Sequence, residues 1–127
     1  MDGYFHVWFS TKGRKEVLEG DVEQDVKAAI RAAAAGCGVD LMEVETAFDH
    51  VHLLLRLQDG QMLSWAMHRL KGASARTVLS RSPELTLHSE QRHLWQRGYG
   101  WRRVLAAEVA AVRRYIQTQP DRPHRSY

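Results

Sequence analysis

Two extended segments stand almost back to back. Leu41 to Ala47 and His50 to Leu57 are both rich in apolar residues, and only Phe48 and Asp49 separate them. So short a connection fits an antiparallel hairpin, and the two segments are expected to pair as one. Ahead of it, Tyr4 to Thr11 alternates Phe5, Val7 and Phe9 against His6, Trp8 and Ser10, which predicts a first strand. Between the two, Val22, Val26, Ala29, Ile30 and Ala33 recur at helical spacing, opened by Asp21 with Gln24 three residues later and closed at Gly36. Beyond the hairpin a second helix is predicted from Gln61 to about Ser80. Leu63, Met67, Leu70, Ser74 and Thr77 or Val78 form its buried stripe, and Ser82 and Pro83 end it. Pro83 to Arg97 reads as a loop with room for one short turn, and Tyr99 to Val104 as a fourth strand. A last helix starts near Ala106, carries Leu105, Val109, Val112 and Ile116 on one stripe, and stops before Pro120.

The order is strand, helix, strand, strand, helix, strand, then one more helix. This is the split pattern of an α+β, ferredoxin-like βαββαβ domain: an antiparallel sheet with helices on one face, plus a C-terminal helix. That scaffold serves many unrelated activities, so function has to be sought in side chains. The 127 residues, 44% hydrophobic and 26% charged, are expected to form one domain, residues 1–127. Cys37 has no partner for a disulfide, no apolar run is long enough for a membrane span, and the first residues lack the pattern of a signal peptide. The expectation is a cytoplasmic protein. Charge is unevenly divided: residues 1–63 carry 6 Lys/Arg against 11 Asp/Glu, and residues 64–127 carry 12 against 4. The basic half is nearly all arginine, whose guanidinium binds phosphate in two-pronged fashion, so a phosphate-rich partner competes with a merely solvated basic surface.

Two segments carry candidate chemistry. In Asp49-His50-Val51-His52-Leu53-Leu54-Leu55, residues two apart on a strand share a face, so His50 and His52 present two imidazoles side by side. Such a pair is half of a divalent-metal site, or simply two histidines facing solvent. In Arg113-Arg114-Tyr115-Ile116-Gln117-Thr118-Gln119, Tyr115 and Gln119 are four apart and share a helical face, with Tyr115 turned away from the apolar stripe. A tyrosine there covers the edge of a core or stands available to a ligand. The two arginines before it could hold a phosphate near its phenol oxygen.

Together these segments resemble the single-tyrosine HUH transposases, the TnpA-like enzymes of small bacterial insertion sequences, where HUH stands for His, bulky hydrophobic residue, His. Asp49-His50-Val51-His52-Leu53-Leu54 is similar to that family's metal-binding strand, and Tyr115-Ile116-Gln117-Thr118-Gln119 to its tyrosine helix. Leu70-Lys71-Gly72-Ala73-Ser74-Ala75-Arg76 and Leu94-Trp95-Gln96-Arg97-Gly98-Tyr99 also fit, in the right order, and the likeness runs from Phe5 to Gln119. Phe48 stands where proline is common, and Gly100 where an aromatic residue is usual. The resemblance implies a DNA transposase that cleaves and rejoins single-stranded DNA at element ends through a 5′-phosphotyrosine on Tyr115. It implies Mg²⁺ or Mn²⁺ held by His50, His52 and Gln119, a single-stranded DNA substrate with hairpins, and a homodimer. Lys71, Arg76, Arg102 and Arg103 are the candidate phosphate contacts. Trp95, Tyr99 and Trp101 are candidates for base stacking, with core packing the competing role for the two tryptophans. The rival functions are a non-mobile, transposase-derived DNA-hairpin-binding protein and a metal-dependent phosphohydrolase that uses water and has no need of Tyr115.

Overall fold

The computed structural model describes residues 3–87 and 93–118. Strand β1 (Gly3–Ser10) leads through a 3-10 turn at Lys12–Arg14 into helix α1 (Gly20–Cys37), followed by β2 (Asp40–Thr46), β3 (His50–Leu57) and helix α2 (Leu63–Arg81). A single helical turn, α3 (Glu84–Leu87), strand β4 (Gly100–Val104), a second 3-10 turn at Ala106–Glu108 and helix α4 (Val109–Thr118) complete the order. The strands form one antiparallel sheet in the order β2-β3-β1-β4, so the hairpin lies on one side of β1 and β4 on the other. This is the predicted α+β architecture.

Strand alternation divides the sheet into two faces with different tasks. Val7 and Phe9 of β1, Val44 of β2 and Val51, Leu53, Leu55 and Leu57 of β3 pack with Val26, Ile30 and Ala34 of α1 and Ala66, Met67, Leu70 and Val78 of α2 in the main core. The opposite face carries a smaller cluster in which Leu54 and Val104 meet Val112 and Ile116 of α4, flanked by Tyr4, Met42 and Val109. Helices α1 and α2 thus cover one face and α4 the other. Burying an aliphatic side chain contributes about 1.5 to 3 kcal/mol, so Val112 and Ile116 suffice to seat a ten-residue helix.

Three local expectations are corrected and one alternative is resolved. Helix α1 runs through Gly36 and ends at Gly38, which takes the left-handed conformation (φ 73°) that closes a helix. Its start is at Gly20 with no side-chain cap, and Asp21 instead sits in the first turn, where its charge complements the helix dipole. In α2 the stripe uses Val78 and leaves Thr77 exposed, because Ser74 and Val78 are one turn apart on the buried side. Leu105 is 66% exposed rather than part of the α4 stripe. It precedes the helix, and its backbone N–H donates to Glu108 Oε1 at 3.0 Å. The aromatic residues divide as well: Trp95 is buried edge-on against Phe9 and donates to Ser74 Oγ at 3.0 Å, whereas Trp101 on β4 is 53% exposed.

Candidate active site

The hairpin and the sheet register assemble the site. His50 and His52 project from β3 toward the α4 face, their ring centroids 4.9 Å apart, and both are buried, at 4% and 6% exposure. The reading of two solvent-facing histidines is therefore excluded. A buried imidazole needs partners, and each finds a different one. His50 Nδ1 lies 2.8 Å from Asp49 Oδ1, and an ionised carboxylate only accepts, so the ring nitrogen donates. His52 Nδ1 lies 3.0 Å from Nε2 of His6 on β1, whose ring is stacked on that of His52. His52 Nε2 is buried and has no hydrogen-bond partner among the described residues.

The electrostatics follow from burial. It pushes His52 down to about 3, with the charges of His50 and His6 adding to the effect. It pushes His6 down to about 4, with Arg102 contributing. Burial alone would raise the Asp49 carboxyl, but the hydrogen bond and charge of His50 and those of Arg14, whose Nε is 3.4 Å from Asp49 Oδ2, hold it below the ordinary range. His6 and His52 are accordingly neutral at physiological pH, the state in which an imidazole nitrogen can ligate a metal.

Helix α4 brings Tyr115 to this cluster. Ile116 faces the sheet, and a step of about 100° per residue turns Tyr115 to the flank, 40% exposed. Its ring centroid is 6.1 Å from that of His6 and 6.4 Å from that of His52, both edge-on. The rotation of the helix is fixed from β2: Glu43 Oε2 accepts from Arg113 Nε at 3.1 Å and from Gln117 Nε2 at 2.9 Å. Arg113 is thus engaged away from the tyrosine. Tyr4 packs in the smaller cluster, and Tyr99 lies against the main core beside the His50 side of the site. Gln119, the expected third ligand, lies outside the described residues, as do Pro120 and Tyr127.

A cavity of about 690 Å³ opens between β1, β4 and α4, lined by His6, Trp8, His52, Arg102, Glu108 and Tyr115 among others. Trp8 separates it from a second cavity of about 360 Å³ on the His50 side, which Arg14, Arg97 and Tyr99 line. Gly100 makes this wall possible: it faces Trp8 across the β1–β4 ladder, and a Cβ there would fall 2.1 Å from the indole Nε1. Glycine at this position leaves the space that the Trp8 indole takes.

The candidate phosphate contacts are dispersed. Arg102 enters the large cavity, and Arg103 stands on the other face of the sheet over the Phe5 ring. Lys71 Nζ donates to the carbonyls of Gln96 at 2.8 Å and Gly98 at 2.6 Å, tying the loop before β4 to α2, and burial lowers its pKa. Arg76 is exposed on α2, over Gly72. Among the described residues, no three His, Cys, Asp or Glu side chains gather as a metal site. The donors nonetheless suit a divalent ion: two adjacent imidazoles, one of which, His52, is neutral and has a buried nitrogen that no atom of the described residues satisfies. His6, Trp8 and Asp49 were not singled out by the sequence as members of the site. The alternation of β1 already set His6 and Trp8 on one face, but only the pairing of β1 with β3 shows which residues they meet.

A sequence model of the family described as IS200-like transposases matches residues 1–119, and the chain belongs to that family. Among relatives, it is 33% identical over 118 residues to the ISDra2 transposase TnpA of Deinococcus radiodurans, covering 93% of this chain and 84% of the relative. It is 27% identical over 115 residues to the transposase for insertion sequence element IS200 of Salmonella typhimurium, covering 91% and 75%. A crystal structure of a protein classed as a transposase from Deinococcus radiodurans superposes with a TM-score of 0.77 at 31% identity, over 94% of this chain and 92% of the other. The REP-associated tyrosine transposase bound to a REP hairpin shares the fold, with a TM-score of 0.69 at 14% identity over 94% and 67%. Membership of the family implies DNA transposition, the cutting and rejoining of DNA strands. No helix among the described residues is long and apolar enough to cross a membrane.

Proposed function

We propose that this protein cleaves and rejoins single-stranded DNA at the ends of a mobile element, with Tyr115 as nucleophile and His50, His52 and Gln119 as the ligands of a divalent ion. The observation that carries the reading is the contact of the Tyr115 ring with the imidazole cluster at the mouth of a cavity that also holds Arg102. A phenol of ordinary pKa near 10 is a weak nucleophile at neutral pH, and a phosphodiester repels it, so the site must neutralise charge and hold the phosphate in line. Held by His50, His52 and Gln119, Mg²⁺ or Mn²⁺ would supply positive charge to the phosphate as a Lewis acid.

The chain's own groups do the rest. Arg102 binds the backbone beside the scissile phosphate, and Glu43, through Arg113 and Gln117, keeps the helix in the rotation that aims Tyr115 at the cavity. Tyr115 Oη forms a bond to phosphorus as the 3′-oxygen departs, leaving a 5′-phosphotyrosine and a free 3′-hydroxyl. Attack by a second 3′-hydroxyl then reverses the linkage without ATP. Lys71, Arg76 and Arg103 contact flanking phosphates of a substrate with hairpins, and two copies of the chain act together as a homodimer.

The test is strand cleavage on end-labelled single-stranded hairpin oligonucleotides with Mn²⁺. The reading predicts that excess EDTA, or the combined substitutions His50→Ala and His52→Ala, abolishes cleavage. Cleavage at the wild-type rate under either condition would overturn the metal assignment. Cleavage that needs metal but persists in Tyr115→Phe would favour a hydrolase that uses water.

A further inference from the structure

A metal-binding imidazole must offer a lone pair at one nitrogen, and the hydrogen bond made by the other nitrogen decides which one that is. For His50 the decision lies with Asp49, whose carboxylate accepts from Nδ1 at 2.8 Å and so places the lone pair of the neutral ring on Nε2. His52 has no carboxylate at its Nδ1. It has Nε2 of His6, 3.0 Å away, across the sheet from the neighbouring strand. The register makes this a diagonal contact, since Trp8 is directly opposite His52 and His6 opposite Leu54.

Two neutral imidazoles share one proton in such a contact, and two arrangements are open. If His6 donates, His52 carries its proton on Nε2, where a buried N–H has no acceptor among the described residues. If His52 donates, Nε2 holds only a lone pair, and orphaned buried donors are the rarer of the two defects. The His6 ring is also held on its other sides, by Trp8 at 5.1 Å and Tyr115 at 6.1 Å between centroids.

We propose that His6 is a positioning residue of the metal centre: its Nε2 accepts the Nδ1 proton of His52 and so fixes the tautomer whose Nε2 lone pair receives the divalent ion. This rests on the assignment of His50 and His52 as ligands. His6 itself neither ligates the ion nor touches the reacting atoms. It does for His52 what Asp49 does for His50, with a neutral ring in place of a carboxylate.

Two measurements test it on the full-length chain. Long-range ¹H–¹⁵N correlation spectra of the metal-free protein, labelled at histidine, report the tautomer directly, and His52 is expected as the Nδ1–H form. A His52 proton on Nε2 would overturn the proposal without any variant. Calorimetric titration with Mn²⁺ then compares the wild type with His6→Phe, which removes the acceptor, and His6→Gln, whose amide oxygen restores one. His6→Phe should weaken Mn²⁺ binding about 10- to 100-fold, and His6→Gln should recover most of it. Folded His6→Phe that binds Mn²⁺ like the wild type would overturn the role of His6 and leave the ligand assignment intact. Wild-type protein that binds no Mn²⁺ would overturn the ligand assignment and this proposal with it. If His6→Phe fails to fold, the wild-type spectrum and the Gln variant decide.

Discussion

His6 and His52 are bases whose charged forms the fold disfavours, and that leaves a signature in stability. Their pKa values fall to about 4 and about 3 in the folded chain, against about 6.5 when unfolded. Between these limits the unfolded state binds more protons, so stability must rise with pH over that window. For the metal-free protein in chelator, the urea midpoint should be level above pH 7 and fall steadily from about pH 6.5 towards 4. Asp49, whose pKa is lowered, adds a loss of the same sign only at lower pH, as it protonates. His6→Gln should flatten the slope above pH 4, and an unchanged slope would mean that His6 is already charged in the native state. Much of the site at this scale was legible from contiguous residues: a strand of period two must set His50 and His52 on one face, whatever the fold. His6 was not legible, because its place beside His52 depends on the partner and register of β1, which no local pattern encodes.

Helix α4 is short, and its position depends on few contacts. Val112 and Ile116 anchor it by burial, while Glu43 alone receives both Arg113 and Gln117. Glu43→Ala removes both hydrogen bonds and should loosen the helix more than it destabilises the molecule. The expected global loss is at most about 1 kcal/mol, since Arg113 is half exposed. Amide exchange in residues 109–118 should accelerate severalfold, with the amides of α1 and β3 unchanged. Equal protection in α4 would show that apolar burial alone fixes the tyrosine. Periodicity revealed this helix and its stripe from Val109 to Ile116, since an apolar face must be buried. It misjudged Leu105, because spacing extends a pattern past the point where the backbone ceases to be helical. It also placed the stop of α1 at Gly36, for a glycine ends a helix only where the chain turns left-handed, and here that is Gly38.

At the scale of the whole molecule, the order of elements followed from the hairpin and its flanking helices, whereas the division of labour between the faces of the sheet did not. α1 and α2 make the main core; α4 makes a second, smaller one that roofs the histidines. Among the described residues, the outer strand β4 pairs only with β1, and it exposes Trp101 beside Phe5 and Arg103. A homodimer predicts a light-scattering mass near twice that of the chain at about tens of micromolar, a concentration at which a useful interface persists. A monomer mass there would remove the dimer from the account.

The central claim is that Tyr115 bonds covalently to DNA. Protein incubated with 3′-labelled single-stranded hairpin DNA and Mn²⁺, digested and analysed by mass spectrometry, reports which residue carries the nucleotide. The account predicts one modified peptide, containing Tyr115. It predicts full loss of the adduct in Tyr115→Phe, which removes only a hydroxyl, and retention in Tyr4→Phe and Tyr99→Phe. An adduct that survives in Tyr115→Phe, or a nucleotide mapped to Tyr4, Tyr99 or Tyr127, would contradict it.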